Sequence, residues 1–244
     1  MDNLILKSTQ LPDAIKKRFG ERSAGKQRAM AAEGHLLLVL HKAPKPNQRD
    51  RSTVFFWRKP DGKWQASHGG TGFQLLNEHI KAYNQAETDL QTRYEEAEEA
   101  EDYFALLEEM TPLRRATRNL RSTLQSAREM IPLDRDLIDC RDWAESIERN
   151  LDLLYENTQN ALNFSIALRG EEQNQLSLKS VESANRLNIL AAIFLPLTAL
   201  ASLFGMNLKS GLAGSSIATF WSIFFLGIVS GFFMLRWVKQ GQFL

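Results

Sequence analysis

The tripeptide Gly205-Met206-Asn207 is the part of this sequence whose residue types and position point most directly to chemistry. It ends an uncharged run, 187–206, and precedes a second uncharged run, 217–235. At about 1.5 Å per residue, each run could cross a hydrocarbon core of roughly 30 Å as a helix. A short loop joins the runs, so Asn207 would lie at the mouth of any pore that they form. Its amide oxygen could hold the water shell of a divalent cation without binding the ion too tightly. The tripeptide therefore predicts an ion-conducting membrane protein, with Asn207 as the residue that meets the metal.

Further candidate pore residues lie on the same predicted helix, before the tripeptide. Steps of three and four residues select a stripe that we call the pore stripe: Ala184, Leu187, Ala191, Leu195, Thr198, Ser202 and Gly205. In a symmetric assembly Thr198 and Ser202 would supply polar rings. Leu187 and Leu195 would form apolar constrictions that can gate by dewetting. Gly205 would let the backbone come close and expose its carbonyls. Met206 is expected to pack against a neighbouring helix rather than bind metal.

The charges that flank the two runs predict an orientation. After Arg186 the only charged residues are Lys209, Arg236 and Lys239, so residues 1–186 carry a net charge of −2. Basic residues precede the first run and end the second, which by the positive-inside rule puts both chain ends in the cytoplasm and Asn207 outside. In the second run Gly227 and Gly231 form a G-x-x-x-G pair, which predicts close packing against the first helix.

Composition limits the alternatives. The net charge of +1 gives no basic excess of the kind that binds nucleic acid. Cys140 is the only cysteine, which leaves no disulfide framework and no thiolate metal cluster. The first residues lack the basic flank and apolar stretch of a secretory signal. The four histidines show no ligand spacing, and no His-Asp-Ser set is evident. We therefore expect no enzyme and no cofactor.

The chain before the two uncharged runs is predicted to form a small sheet followed by helices. A short helix is predicted over 11–20, strands over 36–40 and 53–57, and a return strand at Trp64 after a Pro-Asp-Gly turn. Together they predict an antiparallel meander of three strands in a domain that covers 1–72. From Phe73 onward the pattern is helical. A helix over 73–109 is acidic in its second half, and Thr111-Pro112 marks the start of a basic helix.

The acidic and basic blocks leave two interpretations open. They could face each other in an antiparallel hairpin over 73–132, or each could be a solvated face. After Pro132, Asp134 can cap a helix that reaches 206 and is on the order of 100 Å long. Its stripe of small and apolar residues predicts that several copies pack around an axis; a hairpin within one subunit is the alternative. The stripe consists of Leu137, Cys140, Ala144, Ile147, Leu151, Leu154, Thr158, Ala161, Ser165 and Leu168.

The order of these features resembles the CorA family of divalent metal ion transporters, in the two-transmembrane Gly-Met-Asn superfamily. The resemblance rests on Phe194-Leu195-Pro196-Leu197-Thr198, on Phe204-Gly205-Met206-Asn207, and on the short loop and second run that follow. It implies a mostly α membrane protein that assembles as a homo-oligomeric funnel, with five subunits. It also implies a pore entrance lined by basic residues, here Arg236 and Lys239. The domains would be 133–206 for the stalk and first span, 207–215 for the outer loop and 216–244 for the second span and C-terminus.

The resemblance implies passive transport of Mg²⁺, with Co²⁺ and Ni²⁺ as further ions, in a bacterial inner membrane. The partners would be other copies of the chain, the lipid bilayer and the divalent cations. Three departures bear on this function: Phe204 replaces the family's usual tyrosine, Lys209 stands where acids are common, and the terminal basic cluster is thin. Two alternatives remain: a zinc transporter of the same superfamily, and a membrane scaffold or stress-response protein that does not conduct.

Overall fold

The computed structural model describes residues 5, 8–19, 25–45, 52–67, 71–205 and 217–240. The chain forms two compact units, Met1–Ala167 and Leu168–Leu244. The first holds all of the strands and most of the helices that the structure describes, and the second holds the end of the longest helix and the last helix. The protein is thus mostly helical with an N-terminal antiparallel meander, as the sequence predicts.

The sheet has four strands rather than the predicted three. After the short helix α1 (Asp13–Lys16), strands β1 (Arg28–Ala32), β2 (His35–His41), β3 (Thr53–Arg58) and β4 (Trp64–Ala66) pair in chain order, all antiparallel. Sequence reasoning missed β1 because its alanines carry no β-branched or aromatic signal. What makes β1 a strand is its turn into β2. Glu33 and Gly34 both have positive φ, 52° and 74°, as a two-residue hairpin turn requires.

Both faces of the sheet are covered, which explains the continuous apolar run in β2. Leu36, Leu38 and Leu40 pack into the core shared with the long helices. Leu37 and Val39 point to the other face, where Ile15 of α1 and Trp57 of β3 complete a second, smaller core. A strand that is buried on both faces loses the alternation of apolar and polar residues. Each Å² of apolar surface removed from water contributes about 25 cal/mol to stability. Because β2 buries apolar side chains on both faces, it is the central stabilising element of the sheet.

The helices of the first unit break at a different place from the one predicted. Helix α2 runs over Gly72–Glu96 and α3 over Ala100–Met130. The break therefore lies at 97–99, and Thr111-Pro112 sits inside α3. Thr111 does not cap a helix, because its hydroxyl donates to the Leu107 carbonyl. The cap is a box between Glu99 and Asp102, in which each side chain accepts a hydrogen bond from the other residue's backbone N–H.

Three basic residues of α3, Arg114, Arg118 and Arg121, pair with acids of the next helix, α4 (Arg135–Gly205). Arg114 pairs with Asp152 at 2.6 Å, and Arg118 with Glu148 at 3.2 Å. Between α2 and α3, Arg93 pairs with Glu109 at 2.6 Å. Among the described residues, one ion pair therefore joins α2 to α3, and the basic block of α3 pairs mainly with α4.

Helix α4 confirms the long predicted helix, and Asp134 caps it as predicted: its carboxylate accepts the Leu137 N–H at 3.1 Å. The stripe over 137–158 is fully buried in the core of the first unit, together with residues of α2 and α3 such as Leu106 and Leu120. The prediction that this segment packs around an intersubunit axis is therefore wrong, and the alternative of packing within one subunit holds there. Leu168, at the end of the stripe, is 53% exposed.

Within the described part of the chain, no helix is both long enough and apolar enough to cross a membrane. The predicted spans over 187–206 and 217–235 are therefore not confirmed. The helices themselves are where the sequence places them, because α4 ends at Gly205 and α5 covers Ile217–Gln240.

His79 of α2 is buried against the sheet and should make stability depend on pH. Burial lowers the pKa of His79 to about 4 from 6.5, although a hydrogen bond to the His41 backbone acts in the other direction. The unfolded chain takes up the proton near pH 6.5 and the folded chain only near pH 4, so folding stability falls as the pH drops through this window. The full effect is on the order of 3 kcal/mol. Denaturant unfolding at pH 7 and pH 4 should show this loss, and His79→Gln should reduce it. Parallel pH profiles for the two proteins would contradict the assignment.

Candidate pore-lining helix pair

The second unit brings α5 very close to the last part of α4. Gly227 and Gly231 are both buried. A Cβ built on Gly231 would lie 3.4 Å from both the Cα and the carbonyl oxygen of Ile193. Glycine permits this approach because it has no side chain to separate the two backbones. The contact at Gly231 is the one that the G-x-x-x-G pair predicts.

Helix α5 lies against the side of α4 that is opposite to the pore stripe. At 100° per residue, Ile189, Ala192, Ile193 and Pro196 share one side of α4, and all of them are half-buried. Gly231 meets this side at Ile193. The other side is open: Leu187 is 68% exposed and Leu195 66%. Among the described residues of the second unit, α4 therefore has one partnered face and one free face, and the predicted pore residues that are described share the free one.

The polar members of the stripe are also exposed. The Thr198 hydroxyl donates to the Phe194 carbonyl at 2.7 Å, which uses its proton within the helix. Its oxygen keeps lone pairs that can accept hydrogen bonds from water. Ser202 is exposed one turn further on. Exposed hydroxyl oxygens at Thr198 and Ser202 suit an ion that keeps its hydration water, because the hydrogens of that water need hydrogen-bond acceptors.

The remaining predicted site residues are less fully described. Gly205 is the last residue of α4, whereas Met206 and Asn207 lie outside the described residues. Arg236 of α5 is exposed. Lys239 belongs to α5, but its side chain is outside the described part. The roles assigned to all of these residues stay predictions.

The described residues contain no group of three or more His, Cys, Asp or Glu side chains that could hold a metal ion. Cys140 is buried, and desolvation raises the pKa of its thiol to about 12, so it stays protonated. Sequence reasoning does not identify a cleft that His79 of α2 lines, because the spacing of the histidines carries no sign of it. The available signal was a pair of alanines, Ala82 and Ala86, on the same face of α2 as His79.

The contact between Gly231 and Ile193 predicts that Gly231→Leu separates the two helices. A leucine side chain cannot fit within 3.4 Å of a backbone, and overpacking of this kind typically costs about 1–3 kcal/mol. We expect the thermal unfolding midpoint of Gly231→Leu in detergent to fall below that of the wild-type protein. Val229→Leu is the matched control because Val229 is 65% exposed. Equal midpoints for Gly231→Leu and Val229→Leu would contradict the close approach.

Taken together, the elements define a mostly helical protein with a small antiparallel sheet domain and a C-terminal helix pair. A family model described as "CorA-like Mg2+ transporter protein" matches residues 14–240. Because the match spans nearly the whole chain, the chain belongs to the CorA-like Mg²⁺ transporter family, as the tripeptide and its setting predict.

Two solved structures share the fold with TM-scores above 0.5. The full-length CmaX protein is 15% identical, with a TM-score of 0.56 over 97% of this chain and 83% of its own. The cytoplasmic domain of ZntB from Vibrio parahaemolyticus is 8% identical, with a TM-score of 0.53 over 66% of this chain and 80% of its own. The CorA magnesium transporter from Methanocaldococcus jannaschii is 16% identical over 95% of this chain and 83% of its own, with a TM-score of 0.49. At these identities the CmaX and ZntB likenesses concern the fold alone. No curated protein sequence matches the chain.

Proposed function

We propose that this protein is a homo-oligomeric transporter of divalent cations, with Mg²⁺ as its main ion. Membership of the CorA-like Mg²⁺ transporter family over residues 14–240 is the observation that carries the proposal. The protein acts by transport rather than catalysis. Flux is passive and inward; the membrane potential supplies about 2.3 kcal/mol per elementary charge for each 100 mV.

The free face of α4 gives the proposal its geometry. Five copies arranged around an axis would turn Leu187, Leu195, Thr198 and Ser202 toward a common passage, while α5 stays on the outer side. The stripe carries no charge, and Mg²⁺ gives up its waters reluctantly, so weak neutral acceptors favour passage over capture. Gly205, Met206 and Asn207 would form the outer filter, and Arg236 and Lys239 would flank the cytoplasmic entrance.

In this proposal the two uncharged runs, 187–206 and 217–235, lie in the bacterial inner membrane. Both chain ends lie in the cytoplasm, as the flanking basic residues suggest. The oligomer buries the free faces of α4, which otherwise leave large apolar side chains such as Phe194 uncovered, at 61% exposure.

Two other functions are alternatives to magnesium transport. Zinc transport is the alternative within the same superfamily: ZntB shares the fold, but Met206 in the middle of the tripeptide argues against zinc. A membrane scaffold is the alternative outside transport. It is favoured by Lys209 and by the lack of acids in the loop after Asn207, since a positive charge at the entrance repels divalent cations.

Purified protein in liposomes loaded with a magnesium-sensitive dye tests the proposal. We expect Mg²⁺ entry that is faster than in protein-free liposomes and that increases with an inside-negative potential. Parallel assays with Co²⁺ and Zn²⁺, and competition between the ions, separate magnesium transport from zinc transport. A protein that assembles as an oligomer yet passes none of the three ions would favour the scaffold.

A further inference from the structure

The charges of the first unit are divided between its sheet domain and its helices. Residues 1–72 contain 14 basic and 6 acidic residues, whereas residues 73–167 contain 10 basic and 20 acidic residues. Surfaces of opposite charge attract each other and set the orientation in which two proteins associate. The exposed charges on the two parts of the unit therefore bear on how copies of this chain meet.

The basic surface lies on the face of the sheet that α1 covers. Lys17 and Arg18, directly after α1, are exposed and have no acidic partner among the described residues. Lys16 pairs with Asp13 at 3.5 Å. The guanidinium of Arg28, on β1, donates to the Arg18 carbonyl at 3.3 Å, which leaves its charge unpaired. We call these four basic residues the basic surface; Asp13 is the one carboxylate paired with it.

The acidic surface lies on the first turns of α4 and consists of Asp136 and Asp139. Asp139 is exposed, Asp136 is half-buried, and neither forms an ion pair with a described residue, Arg135 included. Asp134 lies beside them, but its charge is matched by Arg58. Burial raises the pKa of Asp136, the carboxylates of Asp134 and Asp139 raise it further, and Arg58 lowers it. The acidic surface therefore has more negative charge than its own subunit balances.

The two surfaces lie on opposite sides of the first unit, so they cannot meet within one subunit. Ile15 of α1 packs on one face of the sheet. Helices α2 and α3 pack on the other face. Helix α4 packs against these two helices, through contacts such as Trp143 with Asn84 and Arg114 with Asp152. A contact between two different surfaces of identical chains is head-to-tail, and repetition of it about an axis closes a ring.

The two surfaces also lie at the same level along the helices. Arg28 is opposite Val39 in the β1–β2 ladder, in the part of the sheet that packs on α2 near His79. Two residues before His79, α2 contacts Cys140 of α4, which directly follows Asp139. A line across the unit from the basic surface therefore reaches α4 at the acidic surface.

This common level decides which acids the basic surface of a neighbour can reach. Copies that are related by rotation about an axis along α4 meet at equal levels. The more acidic end of the α2–α3 hairpin, at 97–99, lies about 27 Å further along α2 than His79 and is excluded. We propose that the basic surface of each copy docks on Asp136 and Asp139 of the next copy. This inference rests on the homo-oligomer of the proposed function, and it is independent of which ion passes.

A carbodiimide tests the contact, because it joins a lysine amine directly to a carboxylate without a spacer. We expect the full-length protein in detergent to give covalent dimers and larger species. Mass spectrometry should identify Lys16 or Lys17 joined to Asp136 or Asp139, a link that cannot form within one copy. The link from Lys16 to Asp13, which are 3.5 Å apart in the same copy, is the internal control for the reaction.

The outcomes separate this inference from the proposed function. An oligomer that gives the internal control link but no link between the basic and acidic surfaces would overturn the docking and leave the homo-oligomer intact. A protein that is monomeric by size-exclusion chromatography with light scattering would contradict both.

Exchange of the charges locates the contact. Lys17→Glu and Asp139→Lys each place like charges opposite each other, and both positions are exposed, so the fold should tolerate the changes. We expect each single variant to lower the yield of covalent dimer roughly threefold or more, and the double variant to restore it with a link between positions 17 and 139. Lys81→Glu is the matched control, because Lys81 is exposed on α2 and belongs to neither surface. Single variants that match Lys81→Glu, or a double variant without the restored link, would refute the docking.

Discussion

Asn207→Ala is expected to reduce Mg²⁺ flux into liposomes at least tenfold. In the proposed pentamer the substitution removes five amide oxygens from the outer mouth at once. Hydrogen bonds that involve a charged group contribute about 1.5–3 kcal/mol each, and about 1.4 kcal/mol already corresponds to a factor of ten. The hydrated cation would then lose the acceptors that hold its water shell as it enters. The measurement is the initial rate of dye fluorescence at a fixed inside-negative potential, normalised to the amount of oligomer.

Asn174→Ala is the matched control for this result. Asn174 is an exposed asparagine of α4 that lies well before the pore stripe, so it should not affect the rate. Asn207→Asp adds information, since a ring of carboxylates should bind the cation more tightly and slow its release. Wild-type flux in Asn207→Ala, from protein that assembles normally, would show that the amide is not part of the filter.

The second large effect is expected at Asp134, which joins the sheet to the start of α4. Its side chain is only 7% exposed and forms an ion pair with Arg58 of β3, itself 16% exposed. The same carboxylate caps α4 through the Leu137 N–H. Asp134→Ala therefore leaves Arg58 partly buried without its counter-charge and also removes the cap. Loss of one partner of a buried pair typically costs about 3–5 kcal/mol, and loss of an N-cap about 1 kcal/mol.

Asp134→Asn separates the two contributions. An asparagine can still cap the helix, so this variant should keep the cap and lose only the charge pairing. We expect the free energy of unfolding, from denaturant titration of tryptophan fluorescence, to fall most in Asp134→Ala and less in Asp134→Asn. Asp142→Ala is a control, because Asp142 is 55% exposed and its partner Arg141 keeps a second carboxylate, that of Glu145 at 2.7 Å. If Asp134→Ala were no less stable than Asp142→Ala, the buried pair would not support the junction.

Elements with strong local signals were predictable from the sequence. The strands at 36–40 and 53–57 are rich in apolar and β-branched residues, and α4 follows from a long segment almost without glycine and proline. The tripeptide and its position were sufficient to indicate the family. Strand β1 was not predictable in this way, since Ala29 and Ala31 belong to a strand only because a hairpin turn sets them against β2. The helix break was misplaced for a related reason: Pro112 is a strong local signal, but the capping box at Glu99 and the packing of α3 decided the boundary.

The sequence by itself determined which residues are candidates for the pore and in what order they follow one another, because period, charge and hydrophobicity are local properties of the chain. Only the tertiary structure decided which apolar stripes of α4 are buried within the subunit and which stay exposed. The residues over 137–158 are buried by the neighbouring helices, whereas Leu187 and Leu195 stay exposed opposite the α5 contact. The two stripes share one heptad pattern, and a pattern records that a face is apolar without recording what covers it. Burial depends on the neighbouring elements, and these come together only when the chain folds.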